Sequence, residues 1–199
     1  MKNLFKRSLL VVAMFTLLAS NAMSNDNNFN DNLIIVNGKL VDLTLKFTDG
    51  DLKINIKDSF GFVLYNDTYT GVEFTRKFDL TSLPNGNYYF EIEGQTKIKV
   101  IPFAVILNNV DFQKEEETIF FKPIVRFKDN VVYISKLALK NEKMIIKIYD
   151  DNSNLIYTED LMGKLYLDRK LNLSMLESGS YNLVLKSEGK IFKEKVYKK

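Results

Sequence analysis

The sequence predicts an all-β protein: two tandem antiparallel β-sandwich domains behind a cleaved signal peptide. Three observations predict it. Short stretches of alternating apolar and polar residues recur at close spacing with turn residues between them, which is the pattern of sandwich strands. Beyond the N-terminus no segment sustains a 3.6-residue period. One unit also occurs twice. Arg76-Lys77-Phe78-Asp79-Leu80-Thr81-Ser82-Leu83-Pro84-Asn85-Gly86-Asn87-Tyr88 returns as Arg169-Lys170-Leu171-Asn172-Leu173-Ser174-Met175-Leu176-Glu177-Ser178-Gly179-Ser180-Tyr181. The repeat is too long for a solenoid unit and has the size of a small sandwich able to bury its own core.

The recurrence reaches well beyond that stretch. Leu52 to Asp58 lies over Met144 to Asp150 at an offset of 92, and Leu64, Tyr65 and Gly71 lie over Ile156, Tyr157 and Gly163. The offset becomes 93 at Arg76 and Arg169. Upstream, Asn37-Gly38-Lys39-Leu40-Val41 is matched to Asp129-Asn130-Val131-Val132-Tyr133. Downstream, Lys97-Ile98-Lys99-Val100 is matched to Lys193-Glu194-Lys195-Val196, which expects three more residues in the last hairpin of the second copy.

Lys2, Lys6 and Arg7 precede an apolar run from Leu9 to Leu18, and Ser20-Asn21-Ala22 has the small residues of a cleavage site after Ala22. Residues 1–22 therefore read as a signal peptide for Sec export, too short in its apolar run for a comfortable membrane span. No transmembrane segment is expected in the mature chain. The chain has no Cys, so neither a lipid-modified cysteine nor a disulfide is available. Residues 23–118 hold nine Lys/Arg against fifteen Asp/Glu, and residues 119–199 hold sixteen against ten. This asymmetry could steer the basic half toward an acidic surface or dock the halves together.

The elements follow in order. Residues 23–32, rich in Asn and Asp, read as a flexible leader. The first unit is placed at 33–107. Leu33–Val36 and Lys39–Thr48 read as strands joined at Asn37-Gly38, a pair that tolerates the positive φ of a tight hairpin. Leu43, Leu45 and Phe47 alternate with polar residues. Strands are expected over Lys53–Lys57, Phe62–Tyr69 and Glu73–Leu80, then a turn at Pro84-Asn85-Gly86 with Gly86 in the left-handed position. Tyr88–Glu93 and Thr96–Ile101 make the last hairpin, and Phe103–Leu107 a short extra edge strand. Residues 108–118, with Lys114-Glu115-Glu116-Glu117, read as an acidic linker. The second unit is placed at 119–199. Its strands are expected over Phe121–Lys128, Val131–Leu139, Met144–Tyr149, Leu155–Glu159, Lys164–Leu173, Tyr181–Lys186 and Ile191–Tyr197.

Chemistry is sparse. The chain has no His and no Cys, which removes the commonest nucleophile–base pairs and the usual ligands for zinc, copper and haem. No enzyme activity and no cofactor is expected. Asp150-Asp151-Asn152-Ser153-Asn154 opens like a calcium loop, but Leu155 stands where Gly is needed and Leu161 where Glu is needed, so an Asx turn is the expectation. Basic residues are spread along an exported chain, so nucleic acid is not expected as a partner. Tyr88 and Tyr181 repeat and read as core or corner residues. Tyr89 is Asn182 in the second copy, which makes Tyr89 the candidate exposed contact for a glycan or surface protein.

The C-terminal unit resembles the C-terminal sorting domain of the type IX secretion pathway, an immunoglobulin-like β-sandwich. The resemblance rests on Ile148-Tyr149-Asp150, on Leu176-Glu177-Ser178-Gly179-Ser180-Tyr181, and on the basic final strand Lys193 to Lys199. It covers about Val131 to Lys199. The upstream unit, with Gly86-Asn87-Tyr88, is a related internal copy, and the entry motif of the family is reduced to Pro123. The resemblance implies a secreted or outer-surface protein, otherwise periplasmic, whose C-terminal unit engages the secretion machinery of the outer membrane. It implies Gly179, Tyr181, Lys195, Lys198 and Lys199 as a sorting element. A binding or adhesion module for a glycan or protein is the alternative.

Overall fold

The computed structural model describes residues 32–47 and 50–199. The expected signal peptide with its Ala22 site, and leader residues 23–31, lie outside the described residues. Asn32, expected as the end of the leader, already opens the first strand.

The first repeat forms β1 (Asn32–Asn37), β2 (Leu40–Lys46), β3 (Asp51–Asp58), β4 (Val63–Thr70), β5 (Glu73–Asp79), β6 (Gly86–Glu93) and β7 (Lys97–Ile106), followed by β8 (Asn109–Phe112) and β9 (Thr118–Phe121). The second forms β10 (Ile124–Lys128), β11 (Val131–Leu137), β12 (Met144–Tyr149), β13 (Leu155–Leu161), β14 (Tyr166–Asn172), β15 (Gly179–Ser187) and β16 (Lys190–Lys198). Each repeat is a sandwich. Sheet β1-β2-β5 faces sheet β4-β3-β6-β7, and sheet β10-β11-β14 faces sheet β13-β12-β15-β16. The topology is all-β, as the alternation predicts, and immunoglobulin-like, as the resemblance implies.

Alternation builds the two cores. Val41, Leu43 and Leu45 of β2 turn inward against Leu52, Ile54 and Ile56 of β3 and Phe90 and Ile92 of β6. Phe78 and Phe103 flank Phe90, with ring centroids 5.2 and 5.3 Å from it. The second core is more aliphatic: Val132, Ile134, Met144, Ile146, Ile148, Leu183 and Leu185. The two clusters share no residue. Each fully buried side chain of this size contributes about 1.5–3 kcal/mol relative to exposure.

The structure differs from the sequence reading in several places. The segment expected as an acidic linker is not free. Both β8 and β9 pair with the outer edge of β7, with a single 3-10 turn, Lys114–Glu116, between them. The cause is local. The strands expected at Thr96–Ile101 and Phe103–Leu107 are one ten-residue strand, β7, containing Pro102. The Pro102 carbonyl accepts the Gln113 N–H at 3.0 Å on the side away from β6, so its missing N–H faces that same outer edge. A proline is tolerated there, but the covering strand must break opposite it. The strand expected over Phe121–Lys128 is likewise split at Pro123, leaving β9 with the first repeat and β10 with the second.

Register corrects two of the matched offsets. Glu93 faces Ile98 across β6 and β7, and Lys186 faces Ile191 across β15 and β16, so the last hairpins are equal in length. Lys97 corresponds to Lys190 rather than Lys193; the repeating Lys-x-Lys letters had disguised a three-residue slip. In the first hairpin Asn37 faces Leu40 and Lys128 faces Val131, so Leu40 corresponds to Val131 rather than to Val132. A one-residue slip of this kind would turn every side chain to the opposite face. Gly86 has no positive φ; it opens β6 in extended form.

Lys190, next to the β15–β16 turn, reaches the first repeat. Its Nζ lies 2.9 Å from Glu91 Oε2 and 4.8 Å over the Phe120 ring. Glu91 also holds Lys57 at 2.6 Å. Burial pushes the Glu91 carboxyl up, but hydrogen bonds from Lys57 and Lys190 outweigh it and hold it below its ordinary value.

Candidate sorting surface of the C-terminal unit

The twice-occurring stretch carries the chain from one sheet to the other. Leu80 and Leu173 are buried where β5 and β14 end. Asp79 Oδ1 accepts the Thr81 N–H at 3.0 Å, and Asn172 Oδ1 accepts the Ser174 N–H at 2.9 Å, closing equivalent Asx turns. The hydroxyl and N–H of Thr81 hold the Asp79 carboxyl below its usual value. One turn later Tyr88 and Tyr181 are buried. The Tyr88 hydroxyl donates to the Pro84 carbonyl at 3.0 Å, and the Tyr181 hydroxyl to the Glu177 carbonyl at 2.8 Å. Both are tyrosine corners, which pin the loop entering the strand to that strand. The arginine that opens the stretch is structural too. Arg76 bonds Asp67 and Tyr65, and Arg169 bonds Glu159, which also accepts from Tyr157. Each group links adjacent strands of opposite sheets. The carboxylates Asp67 and Glu159 escaped the sequence reading because Asp and Glu interchange at that position.

The element carrying Gly179 and Tyr181 adjoins the turn after β12. Asp150 Oδ1 accepts the N–H groups of Asn152 at 2.9 Å and Asn154 at 2.7 Å, and the Asn154 side chain donates to Oδ2. That side-chain bond, with the backbone ones, holds the Asp150 carboxyl below its usual value. Asp58 does the same for Phe60 and Phe62 in the first repeat. Asp151 turns the other way and accepts the hydroxyl and N–H of Ser180, the hydroxyl first among the causes that lower its carboxyl. Gly179 has φ 156°, and a Cβ there would stand 3.2 Å from Asp151 Oδ2, so position and close approach both favour glycine. These residues line a polar concavity of about 320 Å³ with Asn152, Ile156 and Leu176. Across the ladder, Gly179 faces Lys198, Tyr181 faces Val196 and Asn182 faces Lys195. The structure thus brings Gly179, Tyr181, Lys195 and Lys198 to one end of one sheet, with exposed Lys199 following. Asp151 and Ser180 join them there; the sequence reading met Asp151 only in a rejected calcium-loop pattern and Ser180 only as the variable residue between Gly179 and Tyr181.

The model of the secretion system C-terminal sorting domain matches residues 24–106 and again 128–199. The chain belongs to this family. As a sorting-domain protein it is of the secreted or cell-surface kind, and the two matches coincide with the two copies read from the sequence. A comparison with curated proteins found no match. Three solved structures are similar over most of this chain. The BSP domain of a biofilm-associated protein shares 14% identity over 83% of this chain and 29% of its own, at a TM-score of 0.28. The FN1–FN3 domains of chicken CNTN1 share 9% over 79% and 60%, at 0.29. The human OSCAR ligand-binding domain shares 9% over 83% and 97%, at 0.23. The chain spans under a third of the first of these structures and three-fifths of the second.

The one other contact residue expected in this sorting-domain protein is Tyr89. Tyr89 is half-buried rather than open, on the outer face of β6 opposite Lys57 and Pro102. Among the described residues no cluster of acidic side chains is arranged to hold a metal, and no helix is long and apolar enough to cross a membrane. The outer face of β10-β11-β14 carries a concavity of about 640 Å³ lined by Arg126, Lys128, Tyr133 and Lys170, among others, with the Lys170 ammonium 5.2 Å over the Tyr133 ring. Sequence reading passed over this face because its residues come from three strands.

Proposed function

We propose that the protein is a secreted, non-enzymatic β-sandwich protein, exported first through Sec, whose C-terminal unit is read by an outer-membrane secretion machinery as a sorting signal. The family match to residues 128–199 carries the reading. The gathering of Gly179, Lys195 and Lys198 at one end of the β15–β16 ladder supports it, because a folded signal must present its residues together. In the first repeat the same fold residues recur, but Lys195 and Lys198 are replaced by Pro102 and Val105. The test is a reporter carrying a Sec signal with residues 122–199 or residues 33–121 appended, expressed in a host with the type IX pathway. Surface or medium delivery is expected for the first fusion only. Retention of both in the periplasm refutes the proposal.

The face around Tyr133 favours a second reading, a binding module. Arg126, Lys128 and Lys170 outnumber Asp168 on this face, and with the exposed Tyr133 they form a platform suited to an acidic glycan or protein surface. Saturable binding lost in Tyr133→Ala but kept in Tyr89→Ala would support it, and flat glycan-array and surface-protein screens would remove it.

A further inference from the structure

We infer that the outer edge of β16 is a strand-addition site for an acidic, extended segment of a partner protein. The argument starts from the internal repeat. β7 and β16 correspond residue for residue at an offset of 93, as the shared hairpin register shows. The outer edge of β7 is covered antiparallel by β8 and β9. Their segment, Asn109 to Phe121, contains Asp111, Glu115, Glu116 and Glu117 against a single cation, Lys114. Glu117 seals the arrangement with an ion pair to the buried Lys99 at 2.8 Å. Among the described residues, β16 pairs with β15 alone.

The uncovered edge is ready to pair. Pro102 bonds outward through its carbonyl, so the backbone of its equivalent, Lys195, points outward too, with that of Ile191, Lys193 and Tyr197 at alternate positions. β16 has no proline, so the row of donors and acceptors that is broken at Pro102 is continuous here. Ile191 and Tyr197 are 55% and 65% exposed. Main-chain pairing supplies affinity at such an edge, and side-chain charge selects the partner. Lys193 and Lys195, on one face of the strand with Tyr197, select an acidic one; the acid Glu194 lies on the opposite face with Lys198. They also argue against a second copy of this chain, since antiparallel pairing of two such strands sets lysine against lysine. The inference concerns what this edge binds and stands whether or not the unit sorts cargo.

The probe is a synthetic peptide of residues 109–121 added to the purified mature chain, followed by fluorescence anisotropy and residue-resolved amide exchange. Saturable binding is expected, with new protection at the amides of Ile191, Lys193, Lys195 and Tyr197. Lys193→Glu combined with Lys195→Glu should weaken it about tenfold, the scale of two exposed pairs made repulsive. Lys195→Pro should keep the fold, as Pro102 does in the first repeat, yet lose protection beside it. Absent binding, protection confined to other strands, or affinity unchanged in both variants overturns the inference. So does β16 protection in the free chain: if it grows with concentration the occupant is a second copy, and if not, it is another part of the same chain.

Discussion

Replacing Tyr181 by Phe separates a residue that holds the fold from one that is recognised. The substitution removes one hydroxyl and keeps the ring of a residue that is only 6% exposed. What is lost is a single hydrogen bond of 2.8 Å to the Glu177 carbonyl. The bond is part-buried, and the cost is the net worth of one neutral hydrogen bond, about 0.5–1.5 kcal/mol. For a domain of this size, about 1 kcal/mol lowers Tm by roughly 4–8 °C. Tyr88→Phe removes the equivalent part-buried bond to the Pro84 carbonyl and should cost the same. The two losses should add in the double variant because the cores are separate. The assay is calorimetry of the mature chain, with surface delivery of the same variants measured in parallel. If Tyr181→Phe leaves Tm unchanged but abolishes delivery, the hydroxyl is being read by the machinery and the corner argument is wrong.

Further outcomes follow from the same geometry. Ile148→Ala should cost about 2–5 kcal/mol in the second repeat, seen as faster amide exchange in β12 and β15 with β3 and β6 unchanged. Asp150→Ala should lower the stability of the second repeat and speed exchange of the Asn152 and Asn154 amides, while Asp150→Asn, which keeps an acceptor, should retain most of the turn. Glu91 is held below its ordinary value, so its stabilising contribution is complete above the unfolded-state value, about 4.3, and is lost as pH falls through the lower folded-state value. Acid should therefore weaken the Glu91–Lys190 contact, and Lys190→Ala should flatten the acid limb of a stability–pH curve; an unchanged limb would show that the contact contributes nothing.

Much of the fold was legible because it rests on local rules. The alternation of Leu43, Leu45 and Phe47, the Asx signature at Asp150, and the repeated Tyr88 and Tyr181 each follow from short-range chemistry. What was hidden depends on partners distant in sequence. The acidic stretch Lys114–Glu117 reads as a linker by composition; only the pairing of its flanks with β7 makes it part of a sheet. The slip that matched Lys97 to Lys193 arose because lysine-rich strands look alike in one dimension, and register is settled by cross-strand neighbours. At the candidate surface, Gly179 and Tyr181 were marked by the repeat, whereas Asp151 and Ser180 were not. Their contact joins residues on different strands, and neither has a counterpart in the first repeat to draw attention to it.

Comparing the two copies sorts structural residues from functional ones. What recurs in both is fold: the Arg–carboxylate–Tyr groups that link the sheets, the Asx turns and the tyrosine corners. The Gly-x-Tyr element on which the family resemblance rests falls largely in this class, since Tyr88 performs the same bond in the first repeat. What differs cannot be required by the sandwich, because the other copy folds without it. The differences gather on β16 and at its end: lysines where β7 has Pro102 and Val105, an outer edge without β8 and β9, and Asp151 bonded to Ser180 beside Gly179. Selection of a partner acts on such differences, as function in sandwich folds lies in features grafted on a shared core. On the proposed sorting role, the lysines and outer edge of β16, rather than the Tyr181 hydroxyl, are therefore where a secretion machinery would tell the C-terminal copy from the first.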